Sequence, residues 1–322
     1  MSAKQLMRLV LVFLGLLVLW GAAALGRRHG TDKAGGESLR LPPVARGAVD
    51  SIVLTKAGAR VVLARKDSTA WTANGFPAAM PPVNELLDAL ADTGAGSELV
   101  AERKSSQADL GVDSAHGTWV RAKSKGKSLL ELVAGNRSPD FSGGYARLPD
   151  QERTFLVHGR LVEAATRPAD DWRDHRIAAV PADSIGAVEV ARGAKRYELE
   201  RKGTQWSLST GGTVDSSRAA MLLSSYQTIE AGGFATAAQA DSARFSPPDR
   251  RLRLLRKDGS PLLTLLFDST AAGMRVKSDT GKTVYTMDAY IADQLAPADS
   301  SLRPPRPPKP VKPAKPGKPA GS

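Results

Sequence analysis

Residues 250–277 read RRLRLLRKDGSPLLTLLFDSTAAGMRVK and carry the clearest structural pattern of the chain. Apolar and polar side chains alternate along three successive runs, which is typical of strands that bury one face. The pattern is plain at Leu252 and Leu254, which flank Arg253. A turn signal at Asp258-Gly259 separates the first two runs. The stretch therefore predicts an antiparallel meander of strands joined by tight turns.

A series of short motifs occurs twice in the chain, at offsets between 129 and 136 residues. Both copies keep the same order, so a chance origin is a poor explanation. The matched positions are Asp50-Ser51-Ile52 with Asp183-Ser184-Ile185, Arg65-Lys66 with Arg201-Lys202, Trp71 with Trp206, Gly144 with Gly273, and Pro168 with Pro297. The sequence predicts two copies of one unit, at 48–168 and 181–297, with a connector at 169–180.

Each copy also contains one longer helix and a short closing helix. In the first copy, apolar residues with i, i+3, i+4 and i+7 spacing follow Pro81-Pro82 and start at Val83. In the second copy, Asp215 can cap the corresponding helix. The predicted fold class is α+β: an N-terminal transmembrane helix, two duplicated α/β units with mainly antiparallel meander sheets, and a disordered Pro/Lys tail.

The net charge of +12 lies at the two ends of the chain. Residues 1–30 and 302–322 together hold ten basic and no acidic residues, and the remainder has 35 basic and 33 acidic residues. A nucleic-acid-binding domain would carry its basic patch on the folded body, so the charge argues against that class. The absence of Cys excludes disulfides, thiolate catalysis and Cys-ligated metals.

The N-terminal residues 9–26 read LVLVFLGLLVLWGAAALG and contain no charged side chain. Such a helix would span about 27 Å, close to the roughly 30 Å of a bilayer core. We expect residues 1–30 to form a single-pass membrane anchor with a cytoplasmic N-terminus, followed by a linker at 31–47 and an extracytoplasmic body. The alternative is a cleaved signal peptide, because Ala22-Ala23-Ala24 offers a cleavage site.

The C-terminal residues 298–322 are rich in proline and lysine, which predicts a disordered, polyproline-II-like tail. Its cations recur every third residue and would line one face, namely Arg303, Arg306, Lys309, Lys312, Lys315 and Lys318. One interpretation is a cationic surface that binds an anionic lipid or envelope polymer. The other, which we favour, is a solvated spacer.

Several motifs together resemble a known family. They are the N-terminal apolar segment, Asp50-Ser51-Ile52, Trp71, Asp109-Leu110-Gly111-Val112, Gly144-Tyr145-Ala146-Arg147, Thr154-Phe155-Leu156-Val157 and Asp171-Trp172-Arg173-Asp174. From residue 48 to about 295 the chain resembles the bacterial domain-of-unknown-function family 4340. That family brings no established activity. Its members are often encoded beside gliding-type ABC export systems, so the resemblance implies an accessory role in the envelope.

The sequence contains no recognisable nucleotide-binding, hydrolase or zinc motif, so we predict no catalytic, cofactor-binding or metal-binding residues. The densest polar cluster runs from Asp170 to Arg176 around Trp172. It is either a carboxylate–histidine site or, as we favour, a connector with a packed tryptophan and exposed ion pairs, because interspersed arginines repel metal ions. Trp71 and Trp206 occupy matching positions, which favours core packing over ligand stacking.

Tyr145 and Arg147, beside the Gly143-Gly144 turn, are weak candidates for a surface site. An offset of 129 residues makes Met274 and Val276 their counterparts, so the polarity is not repeated in the second copy. The alternative is that strand alternation places both side chains on one face.

Three functions remain open at this point. The first is a non-catalytic, membrane-anchored scaffold or interaction protein with a protein partner in the envelope, of which ABC-type transporter subunits are one candidate. The second is a binder of anionic polymer or lipid that works through the tail. The third and weakest is an extracytoplasmic hydrolase with a site between the two repeats.

Overall fold

The computed structural model describes residues 38–305 except 93, 95 and 204. The described chain divides into two compact units, the first ending at Asp174 and the second beginning at His175. The residues of the predicted connector therefore divide between the units. The short 3-10 helix Ala169–Trp172 closes the first unit, and the strand Arg176–Ala178 opens the second.

The first unit is built on one antiparallel sheet of nine strands. They are β1 (Ser51–Lys56), β2 (Ala59–Arg65), β3 (Trp71–Ala73), β4 (Phe76–Pro77), β5 (Ser97–Ala101), β6 (Thr118–Ser124), β7 (Lys127–Arg137), β8 (Gly143–Arg147) and β9 (Thr154–His158). Their order across the sheet is β4-β3-β2-β1-β6-β7-β8-β9-β5. The returning strand β5 thus lies at the edge, beside β9, although it precedes β6 in the chain.

Two helices bury the apolar face of this sheet. Helix α1 (Met80–Ala91) starts with prolines at its first positions and buries Val83, Leu86, Leu87 and Leu90, as the spacing predicted. Helix α2 (Leu161–Ala165) follows β9 and is almost wholly buried. The alternation in β1 turns Ile52 and Leu54 toward these helices and leaves the intervening residues on the opposite face.

The second unit is built on an eight-stranded antiparallel sheet and a two-stranded one. The strands are β10 (Arg176–Ala178), β11 (Ala187–Arg192), β12 (Lys195–Lys202), β13 (Gln205–Leu208), β14 (Ile229–Glu230), β15 (Gly233–Phe234), β16 (Arg250–Leu255), β17 (Pro261–Thr270), β18 (Gly273–Ser278) and β19 (Tyr285–Met287). The large sheet has the order β13-β12-β11-β16-β17-β18-β19-β15, and β10 pairs with β14.

Three helices complete the second unit: α3 (Ser216–Ser225), α4 (Ala237–Asp241) and α5 (Ala289–Leu295). Asp215 caps α3 by accepting hydrogen bonds from the backbone amides of Ser217 and Arg218, as the sequence indicated. A last 3-10 helix, Asp299–Leu302, follows α5.

The two large sheets share one strand order apart from the extra edge strand β4. Their entry segments also match, because Val44 donates its amide to Leu90 O and Val180 donates its amide to Tyr226 O, each at 2.9 Å. The prediction of mainly antiparallel, sheet-rich units is confirmed.

One part of the predicted fold class needs correction. Within the described part of the chain, no helix is long and apolar enough to cross a membrane. The twelve-residue α1 extends about 18 Å, against a hydrocarbon core of roughly 30 Å. The predicted transmembrane helix and the predicted single-pass location in the cell membrane are therefore contradicted and withdrawn. The segment on which both rested, residues 9–26, lies outside the described residues.

Candidate functional site

Arg147, one of the two residues assigned to a weak surface site, is inside the first unit, with only 6% of its surface exposed. Its Nε donates to Val112 O at 2.7 Å, and its Nη1 donates to Leu148 O at 3.1 Å and Pro149 O at 2.8 Å. Burial lowers the pKa of the Arg147 guanidinium. The expected surface role is corrected: this cation fastens the loop 102–117 to the sheet.

Strand register also corrects the predicted counterparts of this pair. Ala146 pairs with Ala134 in the first unit, and Val276 pairs with Phe267 at the equivalent point of the second. Tyr145 and Arg147 therefore correspond to Arg275 and Lys277 rather than to Met274 and Val276. The polar character of this face is repeated after all.

The two counterparts hold the crossover segment of the second unit in the same way. Arg275 donates Nη1 to Gln239 O and, at 2.8 Å, to Ser242 Oγ. Lys277 places its Nζ 5.1 Å from the centroid of the Phe245 ring. In both units, basic residues of β8 or β18 attach the connection that precedes β6 or β16, which is a structural role. Tyr145 is half-buried opposite Leu156.

The residues from Asp170 to Arg176 belong to two different units. Trp172 is fully buried in the first core, while Arg173 stacks on Phe76 with its Cζ 4.0 Å from the ring centroid. His175 belongs to the second unit, where its ring lies 4.9 Å from that of Phe234. The connector interpretation thus fits the described contacts better than a catalytic one.

Trp71 and Trp206 pack on the first and second cores, respectively. Each receives an arginine over its ring, Arg65 at 5.2 Å and Arg201 at 6.0 Å from Cζ to centroid. The contact is a repeated structural device, because both tryptophans and both arginines recur at matching positions.

The one described cation of the predicted tail face is Arg303. It pairs with Asp299 at 3.0 Å and donates to Thr210 Oγ1 at 2.9 Å, so it is attached to the second unit. The other five, Arg306, Lys309, Lys312, Lys315 and Lys318, lie outside the described residues.

The candidate site that sequence reasoning missed is the turn Ser138–Ser142 between β7 and β8, here called the Phe141 turn. Phe141 is 69% exposed, although a phenyl ring gains from burial. Its backbone is left-handed, with φ of 60°. That conformation costs roughly 1–2 kcal/mol in a residue with a Cβ, so surrounding contacts must hold it.

Hydrogen bonds within the Phe141 turn supply that support. Asp140 accepts from the backbone amide of Ser142 at 3.2 Å and from its hydroxyl at 2.9 Å. Hydrogen bonds from Ser138 and Ser142 to the carboxylate lower the pKa of Asp140 to about 2. Phe141 itself donates its amide to Ser138 O at 3.0 Å, and Gly159 donates to Ser142 O at 3.0 Å. These hydrogen bonds hold the backbone of the turn, while its aromatic ring faces solvent.

A basic side chain lies beside the exposed ring. Arg137 places its Cζ 4.7 Å from the centroid of Phe141 and pairs with Glu163 at 3.3 Å. An exposed aromatic side chain with an adjacent arginine is the composition found at the energetic centres of protein interfaces. The signal in the sequence is a lone phenylalanine within the turn-forming residues SPDFSGG, where polar residues are the rule.

The histidines and carboxylates of the described residues are dispersed. His116 pairs with Asp113 at 2.8 Å, and His158 pairs with Glu98 at 3.2 Å in another part of the first unit. Within the residues that the structure covers, no group of three or more such side chains is placed to hold a metal ion. The Phe141 turn is therefore the strongest candidate site.

A family model described as "Domain of unknown function (DUF4340)" matches residues 69–248, which include the Phe141 turn. No curated protein and no solved structure matches the chain.

Proposed function

We propose that this chain, which belongs to the DUF4340 family, is a non-catalytic interaction protein. In this proposal it binds another protein through its first unit. The observation that carries the proposal is the hydrogen-bonded Phe141 turn, which presents a 69% exposed phenyl ring in a left-handed backbone. Backbone strain that is held in place by a hydrogen-bonded turn is typical of sites where function, rather than stability, sets the conformation.

The hydrogen bonds that hold the turn favour binding. A backbone that is already held in one conformation loses little conformational entropy on association, so more of the contact energy remains as affinity. The carboxylate of Asp140 accepts hydrogen bonds within the turn, so the phenyl ring is the group that the turn offers to a partner. The Arg137 guanidinium, which pairs with Glu163, lies beside the ring. The complementary surface is an apolar pocket with a carboxylate at its rim.

The partner class comes from the family resemblance. Members of the family are often encoded beside gliding-type ABC export systems, so subunits of such a system are the first proteins to test. In this proposal the two sheets act as a frame that holds the binding turn, and no reaction is assigned to either unit.

A photo-crosslinking experiment tests the proposal. The phenylalanine analogue p-benzoylphenylalanine is introduced at position 141 of the full chain, and at Met221 as a matched control, because Met221 is equally exposed on α3. We expect irradiation of living cells to give a discrete protein adduct from position 141 and none from position 221. The same analogue at 141 without an adduct, or with the same adducts as at 221, would contradict the proposed function.

A further inference from the structure

The second unit has an apolar groove beside its last helix. It has a volume of about 420 Å³ and lies between α5 and the residues that follow α3, with Ile229, Met287, Ile291 and Leu295 in its walls. Ile291 is 39% exposed, which is high for an isoleucine, a residue type that is most often buried. The groove is therefore unfilled apolar surface.

The equivalent position in the first unit is closed. Val157 of β9 and Met287 of β19 occupy the same point of the register, because Gly144 pairs with Val157 and Met274 pairs with Met287. Counting four residues onward from each leads to Leu161 of α2 and Ile291 of α5. Leu161 is only 2% exposed. The two units therefore differ at this position: the first unit buries Leu161, and the second leaves Ile291 exposed beside the groove.

The charges at the groove have one sign. Glu230 and Asp288 are the charged residues among those that line it, and both are acidic. Asp288 also accepts the backbone amide of Tyr290 at 2.7 Å, which fixes its carboxylate at the start of α5. The groove suits an apolar group that arrives with a cation beside it.

We propose that the occupant of this groove is the Phe141 turn of a second copy of this chain. The inference rests on the proposed function and assigns the site a partner other than an export-system subunit, namely a second copy of this chain. The phenyl ring of Phe141 fills the apolar walls, and Arg137, whose side chain is 46% exposed, faces Glu230 and Asp288. The room is sufficient, since a cavity of roughly 150 Å³ lined by aliphatic side chains already binds benzene.

The contact joins two different surfaces, the Phe141 turn of one copy and the groove of the next. Such a heterologous contact repeats from copy to copy, so it either closes into a ring of two or more copies or continues as an open chain. The corresponding turn of the second unit, Thr270–Gly273, carries no aromatic residue, and the first unit carries no open groove at Leu161. Each copy therefore has one turn and one groove to offer.

Sedimentation velocity of the purified full chain, from low to high micromolar concentration, tests the inference. We expect the chain to self-associate, and Phe141→Ala to weaken the association by roughly 30-fold or more, as at interface hot spots. Ile291→Lys should have a similar effect, because it places a cation in the groove opposite Arg137. Tyr290→Ala, on the same helix but outside the groove walls, should associate like the unchanged chain.

Mixing the two defective variants gives the decisive result. Phe141→Ala keeps its groove and Ile291→Lys keeps its Phe141 turn, so together they should form a one-to-one complex that grows no further. A chain that stays monomeric throughout the concentration range, or a mixture that forms no complex, overturns the inference. A position-141 crosslink to a different protein would then still uphold the proposed function, whereas a crosslink to the chain itself supports both.

Discussion

The two units use one strand order but attach their last helices differently. In the second unit, Tyr226 donates its hydroxyl to Leu295 O at 2.7 Å and Tyr197 donates to Pro297 O at 2.9 Å, at the end of α5. Hydrogen-bond and strand register place Leu90 and Val61 at the equivalent positions of the first unit, where both are buried aliphatic residues.

The difference shows how two units with the same strand order can expose different surfaces. The first unit holds α2 by apolar packing, which requires Leu161 to be buried. In the second unit, Ala292 and Leu295 of α5 are buried, two directional hydrogen bonds hold the end of the helix, and Ile291 faces solvent. The second unit thus adds polar attachment at the end of its last helix and leaves an apolar position near the start of that helix open.

The largest expected loss of stability comes from substitutions in the closing 3-10 helices, which test whether the two units are stabilised separately. Trp172 and Leu302 end these helices in the first and second units and are buried in separate cores. We expect Trp172→Ala to destabilise the first unit by about 3–5 kcal/mol, and Leu302→Ala to destabilise the second by about 2–5 kcal/mol. Hydrogen exchange should accelerate only in the unit that carries the change. Equal acceleration in both would show that the cores unfold as one.

The next largest loss of stability is expected where basic residues attach the connections that precede β6 and β16. Arg147→Met removes the donors to three carbonyls, and we expect a loss of about 1–3 kcal/mol, measured by urea denaturation. Lys277→Met at the matching position loses a contact with Phe245, which is worth only about 0.5–1 kcal/mol. A reversed ranking would contradict the structural role assigned to Arg147.

The tyrosine attachment of α5 is tested by Tyr226→Phe. The change removes only the hydroxyl and leaves Leu295 O without that donor, so we expect the second unit to lose about 1–2 kcal/mol. Tyr290→Phe is the matched control, because Tyr290 is exposed on the same helix and should change stability by less than about 0.5 kcal/mol. Similar values for both would mean that the buried hydroxyl does not secure the helix.

A smaller effect, of opposite sign, is expected for the Phe141 turn. Gly273, with φ of 135°, corresponds to Gly143, and the shorter turn of the second unit has no residue equivalent to Phe141. Phe141→Gly removes the penalty of a Cβ in the left-handed region, so we expect a stabilisation of up to about 1 kcal/mol, seen as a higher melting temperature. Loss of stability would instead show that the ring supports the turn.

The smallest expected effect is the acid response of the same turn. The pKa of Asp140 is lowered from 3.8 to about 2 by hydrogen bonds from Ser138 and Ser142, so its stabilising contribution is complete above pH 3.8. That contribution is lost as the pH falls from 3.8 toward 2. The protection factor of the Ser142 amide, which is its exchange rate relative to that of an unstructured peptide at the same pH, should fall over this interval, and Asp140→Asn should remove that change. A protection factor that stays constant with pH in the unchanged chain would contradict the assignment.

The sequence predicted local strands and part of the repeat. Alternation in residues 250–277 predicted three strands that the structure contains, and the match of Trp71 with Trp206 agrees with the strand register. The match of Asp50-Ser51-Ile52 with Asp183-Ser184-Ile185 is wrong by three residues, because Ile52 pairs with Leu63 and Val188 pairs with Leu199 at the equivalent point. The helix after Pro81-Pro82 followed from its apolar spacing. These features depend on local periodicity, which one chain segment carries by itself.

The candidate site depended on register and on backbone conformation, which the sequence does not carry locally. An error of one residue in the offset matched Tyr145 and Arg147 with residues on the other face of β18. Strand side chains alternate with a period of two, so a shift of one residue changes the face. The burial of Arg147 follows from the path of a loop. The exposure of Phe141 follows from a turn that points its ring outward, and the composition of the turn alone leaves that direction open.

The edge position of β5 has a consequence for synthesis of the chain. Its partner β9 leaves the ribosome last among the strands of the first sheet, and Ser97 cannot pair with Val157 until the chain has been made to that point. At about 5–20 residues per second, β5 waits several seconds with both edges unpaired. A nascent chain that stalls between these strands would expose Val100 and its neighbours as an open strand, which is the form that chaperones and aggregates recognise.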